Sequence, residues 1–542
     1  MPSSEKIISP GVFTNEIDQS FLPAAIGEIG AAVVGPTVKG PILIPTVVSS
    51  YSEYQRLFGD SVQSGSSDYT YLTSMTAREY LKNGNRLTVV RVAAGGGFQQ
   101  AFASIPTGGM GAAAGGQATA VYNSEGSGPH EDPSVDYQEA GTDYVFKLRT
   151  HDYGVIMNNG GGHGGHVAAG GAGAPEKEQW AVTQSGTSLL VSASEHSVRW
   201  EVSNVNTKKG TFALLVRKGT DTHKRKQILK TWNNLSLDPD ASNYLEKVIG
   251  NQKIVQGGSV TNPYISVSGS SVNKSKYVYV SEVNGTHKTP QYLNTNGEVR
   301  VAAASASLPA TGSGSYWGTF RSGSAGYNQL SSLGEVIITG SAGPQVDADG
   351  IIKFYDEIAD TNTQGFDPDT AGLGGDEYKT AINLLKNQDE YDINMLLLPG
   401  IISSKHTDVS LTAIDMVEER GDCFLVLDPV IYGSNLTEAT SEAELRDTSY
   451  SAMYWPWVQV NEPAVGRNVW VPASTVMGGI YAFNDRVSHP WFAPAGLNRG
   501  GIDTAIQAER KLTHANRDEM YEVSLNPIAT FPGQGVTVFG QK

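Results

Sequence analysis

The sequence predicts a multidomain α+β protein in which one discontinuous α/β core domain is interrupted by β-rich inserted domains. Two observations support this fold class. First, "RLTVVRV" at 86–92 and "DCFLVLDP" at 422–429 are continuous apolar runs, typical of strands buried on both faces of a parallel sheet. Second, glycine-rich tracts alternate with short two-period strands from about residue 98 to residue 345. The predicted segments are an arm at 1–20, core at 21–97, a protruding insertion at 98–200, a second insertion at 201–345 and core at 346–542.

The first elements are short. Residues 1–20 contain "SPGVFTNEID" and cannot form a core, so they predict an extended arm. The segment 31–50 alternates apolar triplets with Gly-Pro breaks, which favours short buried strands. "SDYTYLTSMTAREYLKNGN" at 67–85 predicts a helix with Asp68 as its N-cap and Gly84 as its stop.

The last third of the chain has regular α/β patterning. The segments 347–359 and 376–388 predict helices. A strand at 392–400, a helix at 407–421 and a strand at 422–429 predict a βαβ unit with a parallel strand pair. "IDTAIQAERKLTHANRDEMYEV" predicts a long helix that runs to about residue 523, and 526–542 predicts a closing hairpin.

Charge and composition exclude several classes of partner. The formal net charge is -16, and no block of Lys and Arg is large enough to predict nucleic-acid binding. No run of 18 apolar residues predicts insertion into a membrane. The single cysteine, Cys423, lies in an apolar strand pattern and is expected to be a small buried hydrophobic residue.

The motifs that suggest chemistry are weak. "GGGHGG" at 160–165 fits a dinucleotide-binding pattern, but no helix follows it; His163 and His166 in the same tract lack further metal ligands. "QVDADGIIKFYD" at 345–356 departs from the calcium-loop pattern, so Asp347 or Asp349 is expected to cap a helix. We therefore predict no enzyme activity, catalytic residue, cofactor or metal.

"HPWFAPAGLNRGGI" at 489–502 is the most unusual stretch. Two prolines forbid helix, two aromatics supply anchor area, and glycines permit close backbone approach. With only His489 as a titrating base it makes a poor active site. We predict a packing corner, followed by Asp503 in the first turn of the long helix. The residues of the predicted packing corner are Pro490, Trp491, Phe492, Pro494, Gly496, Arg499 and Gly500. Arg499 has no evident partner in the sequence.

Several of these stretches resemble the tail sheath proteins of contractile bacteriophages (myoviruses). The resemblance is carried by "SPGVFTNEID", "REYLKNGNRLTVVRV", "TWNNLSLDPDASNYLEKVIGN", "DCFLVLDP", "HPWFAPAGLNRGGI" and "LNPIATFPGQGVTVFGQK". It covers 1–97 and about 345–542 well, and the intervening residues in patches.

The resemblance implies a structural subunit that polymerises as stacked hexameric rings around an inner tail tube and contracts to drive that tube through the host envelope. Implied partners are other copies, the tube protein, and the baseplate and tail terminator proteins. The implied location is the virion tail, and the host cytoplasm during assembly. The implied inter-subunit arm residues are Pro10, Gly11, Val12, Phe13, Glu16 and Ile17, and the implied closing strand contains Gly535, Val536, Val538 and Gly540.

Two other functions stay open. The sheath of a related contractile injection or bacteriocin system fits the same motifs. A tail-associated protein that binds or degrades glycans is also possible if Trp180 or Trp317 forms an exposed platform in the insertions. Family members usually continue beyond the strand resembling "GVTVFGQK", so we expect a chain that ends at Lys542 to be truncated or an unusually short sheath. A truncated form is expected to stay monomeric or to form short, irregular aggregates.

Overall fold

We describe a computed structural model of the chain. Strand labels β1–β24 and helix labels α1–α8 follow chain order. The described residues are 30–64, 67–92, 100–107, 144–153, 198–218, 225–309, 311–315, 328–330, 336–338, 358–360, 363–364, 368, 375–463, 466–489 and 491–542.

An eight-stranded mixed sheet is the centre of the fold, with strand order β2-β5-β1-β17-β18-β19-β23-β24. Its six inner strands are parallel, and the edge strands β2 and β24 are antiparallel to their neighbours. The inner strands β1, β5 and β17 are buried at every position, as expected for a parallel sheet covered on both faces. The eight strands are β1 (Ala31–Gly35), β2 (Thr46–Val48), β5 (Leu87–Arg91), β17 (Met395–Ile402), β18 (Phe424–Asp428), β19 (Ser451–Trp455), β23 (Leu525–Phe531) and β24 (Gly535–Val538).

Helices cover both faces of this sheet. Helices α1 (Tyr51–Phe58), α2 (Leu72–Leu81) and α7 (Ser474–Val487) pack into the core on one face. The helices of the other face share a second core, and they are α4 (Gly375–Leu384), α5 (Thr407–Arg420), α6 (Leu436–Glu444) and α8 (His514–Glu522). Burial on two faces explains why the strand sequences read as unbroken apolar runs.

The remaining strands form smaller sheets. The strands between β5 and β17 include a four-stranded sheet, β10-β9-β8-β14, and a three-stranded sheet, β13-β7-β6, which share one core. Their bounds are β6 (Gln100–Pro106), β7 (Tyr144–Tyr153), β8 (Val198–Asn206), β9 (Thr211–Lys218), β10 (Ile228–Ser236), β13 (Val278–Val283) and β14 (Gly312–Ser315), with helix α3 (Leu245–Ile249) packed on them.

Two- and three-stranded units complete the described chain. They are β3 (Ser61–Ser64) with β4 (Ser67–Thr70), β11 (Lys253–Gly258) with β12 (Pro263–Ser268), β15 (Asn328–Leu330) with β16 (Val336–Ile338), and β20 (Val458–Glu462) between β21 (Arg467–Val471) and β22 (Ala505–Ala508). Two short 3-10 helices lie at Gly285–His287 and Ala302–Ser307.

Several sequence predictions are confirmed. Strands β17 and β18 are parallel and are connected by α5, so the predicted βαβ unit is present. The apolar stripe of α5 is buried, as predicted for Val409, Ala413, Met416 and Val417. The closing hairpin is β23 with β24, and Cys423 is buried.

The predicted long helix over 502–523 is wrong. Residues 505–508 form β22, which pairs antiparallel with β20, and helix begins only after Thr513. Thr513 and Asn516 form a capping box that starts α8 there, and Asp503 precedes β22 instead of lying in a helical turn. Pairing with a distant strand overrides the helical periodicity of this segment.

Two further predictions need correction. Asp68 lies in β4, and α2 starts four residues later, where Gln364 Oε1 accepts the Leu72 backbone N–H at 2.7 Å. A residue distant in sequence therefore provides this cap. The predicted boundary between residues 200 and 201 falls inside β8, and strands from both predicted insertions share one core. The helix predicted at 347–359 lies almost wholly outside the described residues.

Candidate functional site

The predicted packing corner follows α7 and runs along the outer edge of β24. Backbone hydrogen bonds join Gly496 N to Val538 O at 2.8 Å, Val538 N to Gly500 O at 2.7 Å, and Ile502 N to Val536 O at 2.9 Å. The corner therefore covers most of the edge that the closing strand would otherwise leave unpaired.

Two glycines make this close approach possible. Gly496 has a φ of +85°, which L side chains rarely adopt. A Cβ at Gly500 would lie 2.5 Å from Val538 O, so a side chain there would push the strand away. The glycine half of the predicted corner thus packs against the closing strand.

The aromatic half of the corner faces solvent instead of anchoring the chain to itself. Trp491 is 73% exposed and Phe492 is 38% exposed. The His489 ring stacks on Trp491 with centroids 4.4 Å apart, and the Arg499 guanidinium lies 4.2 Å from the Phe492 ring centroid. We name His489, Trp491, Phe492, Leu497 and Arg499 the aromatic corner. The sequence predicts that Trp491 and Phe492 anchor the corner, but in the described part of the chain both rings remain exposed.

The backbone beneath the aromatic corner is fixed. Buried Asn484, on α7, donates from Nδ2 to Phe492 O at 2.9 Å, and Phe492 N donates to His489 O at 2.9 Å. Pro494 is buried, whereas Pro490 lies outside the described residues. The exposed rings are therefore displayed on an ordered framework.

The predicted closing-strand residues lie where the hairpin requires them. Val536 and Val538 are buried in the core below α7. Gly535 has a φ of +78° at the start of β24. A Cβ at Gly540 would lie 2.4 Å from Pro527 Cδ, so this glycine permits the chain to pass closely over β23.

The N-terminus of α7 is capped by a buried carboxylate that sequence analysis missed. Asp428, at the end of β18, accepts the Ser474 backbone N–H at 2.9 Å and also accepts the Ser474 hydroxyl. Burial raises the pKa of Asp428 to about 7, although its hydrogen bonds with Ser474 lower it. An aspartate directly after a buried strand was the available signal, but only the fold brings it to a helix 46 residues away.

A buried ion pair joins α2 to β20 on the same face. Arg78 Nη1 and Nη2 donate to the two Glu462 carboxylate oxygens at 3.1 and 2.6 Å, and the Glu462 side chain is fully buried. Burial lowers the pKa of Arg78, but the hydrogen bonds and charge of Glu462 outweigh it and raise the pKa overall. The bidentate geometry fixes α2 against the three-stranded sheet of β20, β21 and β22.

Metal binding and membrane insertion have no candidate among the described residues. Within the described ranges, no group of three or more His, Cys, Asp or Glu side chains is placed to hold a metal ion. The same residues include no helix that is both long and apolar enough to span a bilayer. Burial raises the pKa of Cys423 to about 12, so its thiolate is strongly disfavoured. The predicted arm residues 10–17, His163, His166, Trp180, Trp317, Asp347 and Asp349 lie outside the described residues.

The region that contains this corner is similar in sequence to known proteins. Residues 371–542 match the family described as phage tail sheath protein central domain. Over 198 residues, 32% of this chain, the sequence is 27% identical to the tail sheath protein of Vibrio phage KVP40. A stretch of 75 residues, 14% of the chain, is 37% identical to the tail sheath protein of Enterobacteria phage T4. These matches span only 29% and 11% of the two relatives' own lengths.

A solved structure aligns with most of the chain at low similarity. The sheath tail protein of Listeria innocua aligns with a TM-score of 0.43 and 9% identity, covering 95% of this chain and 68% of that chain.

Proposed function

We propose that the chain is a structural subunit of a contractile tail sheath, because residues 371–542 match the family described as phage tail sheath protein central domain. The match of this segment to the sheath central domain carries the proposal, and two tail sheath relatives of myoviruses support it. Copies polymerise as stacked hexameric rings around an inner tail tube, in the virion tail and in the host cytoplasm during assembly. Contraction drives the tube through the host envelope.

In this proposal the work comes from two packings of the same subunits and not from an enzymatic reaction. A subunit that transmits force needs a stiff body with surfaces that other copies can bind. The buried parallel sheet, with helices on both faces, supplies such a body. Baseplate and tail terminator proteins bind the two ends of the stack.

The domain arrangement is part of the proposal. Residues 21–97 and 346–542 form one discontinuous sheath core domain, into which 98–345 are inserted. The parallel pairing of β1 with both β5 and β17 supports a core built from the two ends of the chain. The separate core shared by β6–β10 and β13 supports a β-rich insertion. The arm at 1–20 pairs with a neighbouring copy through β-augmentation.

Assembly of the purified full chain tests this function. Electron microscopy and sedimentation velocity are performed over a concentration series, with and without the inner tube protein. We expect regular rings or striated tubes, with the tube protein enclosed when it is present. Single copies under every condition would contradict the assembly of a sheath by this chain, and they would match the behaviour expected above of a truncated form.

A further inference from the structure

The aromatic corner has the composition and exposure of a binding surface. Large exposed apolar groups that cluster at one place are uncommon on isolated soluble proteins. Trp491, Phe492 and Leu497 are all exposed here, and Arg499 adds a cation beside them. Aromatic residues and arginine are the side chains that most often dominate the free energy of protein interfaces.

A second exposed apolar group lies at the end of α6. Leu445 is 69% exposed and stands between the exposed carboxylates Glu444 and Asp447. Neither carboxylate forms an ion pair with any described residue of the chain. We name Glu444, Leu445 and Asp447 the leucine knob.

Both surfaces are held rigidly. The α6 helix begins with a capping box between Asn435 and Glu438. Its last turn is fixed by Arg446, which donates to Glu442 Oε1 at 2.8 Å and to Ser403 Oγ at 3.0 Å. Preorganised surfaces lose little conformational entropy on binding, so modest contacts between them can be effective.

The two surfaces lie on opposite faces of the central sheet. Ile502, which follows the aromatic corner, and α7 belong to the core on one face, whereas Ala439 and Ala443 of α6 belong to the core on the other. A contact between the corner of one copy and the knob of another is therefore head-to-tail. Head-to-tail contacts repeat and generate rings or helical stacks.

Charge favours a second copy as the occupant. A chain with a net charge of -16 repels other copies of itself, so a contact between copies needs local charges of opposite sign. Arg499 supplies a cation at the corner, and the knob supplies two carboxylates around an apolar side chain. We propose that the aromatic corner of one copy binds the leucine knob of the next. This inference rests on the proposed sheath function, because it names one contact of that assembly.

Site-directed cross-linking of the full chain tests the contact directly. Asn498→Cys and Ser449→Cys place exposed thiols beside the corner and the knob without removing either. The only native cysteine, Cys423, is buried and gives little background. Mixing the two single variants under a mild oxidant should trap the mixed dimer even if the contact is weak. A chain carrying both substitutions should give a ladder of higher oligomers.

Charge reversal separates this contact from random collision. Arg499→Glu in the N498C chain should reduce the mixed-dimer yield by about tenfold, the effect of losing roughly 1.4 kcal/mol of binding free energy. Combining it with Glu444→Lys and Asp447→Lys in the S449C partner should restore the yield. The matched control is Ser259→Cys, an exposed serine on the β11–β12 hairpin, which should not cross-link to N498C.

The outcomes are distinguishable from those of the assembly experiment. Sheath-like tubes without the mixed disulfide would overturn this contact and leave the sheath function standing. The disulfide with charge-swap rescue, but without tubes, would support the contact and count against the sheath function. N498C homodimers in place of mixed dimers would show that the corner binds itself, which also overturns the inference.

Discussion

At the scale of single residues, buried polar groups connect parts of the chain that are far apart in sequence. Arg420, at the end of α5, donates from Nη2 to the backbone oxygens of Tyr391 and Ile393 at 3.0 and 3.3 Å. Asp428, at the end of β18, connects to the start of α7 by accepting the Ser474 backbone N–H. Such groups are costly to bury alone, so each is satisfied by its partners in the folded chain.

Asp428 makes the stability of the fold depend on pH. Its pKa is raised from 3.8 to about 7, so the folded chain retains a proton that the unfolded chain releases. The resulting stability is fully present below about pH 4 and is lost as pH rises to 7. Asp428→Asn keeps a neutral side chain that can accept from Ser474 N–H and donate to the hydroxyl. The difference in unfolding free energy, wild type minus variant, should fall by roughly 4 kcal/mol across this window.

Urea unfolding at a series of pH values measures that difference. Asp389→Asn, which changes an exposed carboxylate, is the matched control and should leave the pH profile unchanged. Parallel profiles for wild type and D428N would mean that folding does not raise the pKa of Asp428.

At the scale of elements, α7 crosses α2 and β17 at very short distance. The sequence did not predict this helix, since adjacent glycines disfavour helix formation. Those glycines permit the packing: a Cβ at Gly478 would lie 2.6 Å from Leu397 Cδ1, and one at Gly479 would lie 2.8 Å from Glu79 O. Close packing of α7 places the following residues, including the aromatic corner.

Gly479→Ala should destabilise the chain even though alanine is the better helix former. Alanine gains about 1 kcal/mol of helix propensity, whereas displacing the α2 backbone costs about 1–3 kcal/mol. We expect a net loss of about 1 kcal/mol, measured as a lower thermal unfolding midpoint. Gly285→Ala is the control because no atom lies within 4 Å of its added Cβ. An unchanged or higher midpoint for G479A would show that α7 can move away from α2 at little cost.

At the scale of the whole molecule, the central sheet joins both ends of the described chain. Strand β1 lies between β5 and β17, so residues far apart in the chain share one hydrogen-bonded sheet. The sheets formed by the strands between β5 and β17 have a separate core. The two cores should therefore unfold as different cooperative units.

Hydrogen exchange in increasing denaturant measures this arrangement. Peptides covering β1, β5, β17 and β18 should lose protection at one common denaturant concentration, because none of these strands can leave without breaking the sheet. Peptides covering β8 and β9 should follow a separate transition. Earlier loss of protection in β1 and β5 than in β17 and β18 would contradict a single core domain.

The sequence by itself determined the elements whose signal is local. Uninterrupted apolar runs identified β5, β17 and β18, because a strand buried on both faces needs no polar side. The turn residues between two apolar segments identified the hairpin of β23 and β24. The resemblance to tail sheath proteins also rested on local motifs, and the match of 371–542 agrees with it.

Tertiary structure alone decided which surfaces those elements present. Residues 505–508 form a strand because β20 offers them hydrogen bonds, and Asp428 caps α7 because parallel strand ends meet near helix starts. Trp491 and Phe492 read as internal anchors in the sequence, yet the fold leaves them in solvent. The hydrophobicity of a side chain determines the free energy gained when it is buried. Only the arrangement of the other elements decides whether its own chain buries it or leaves it exposed for another molecule.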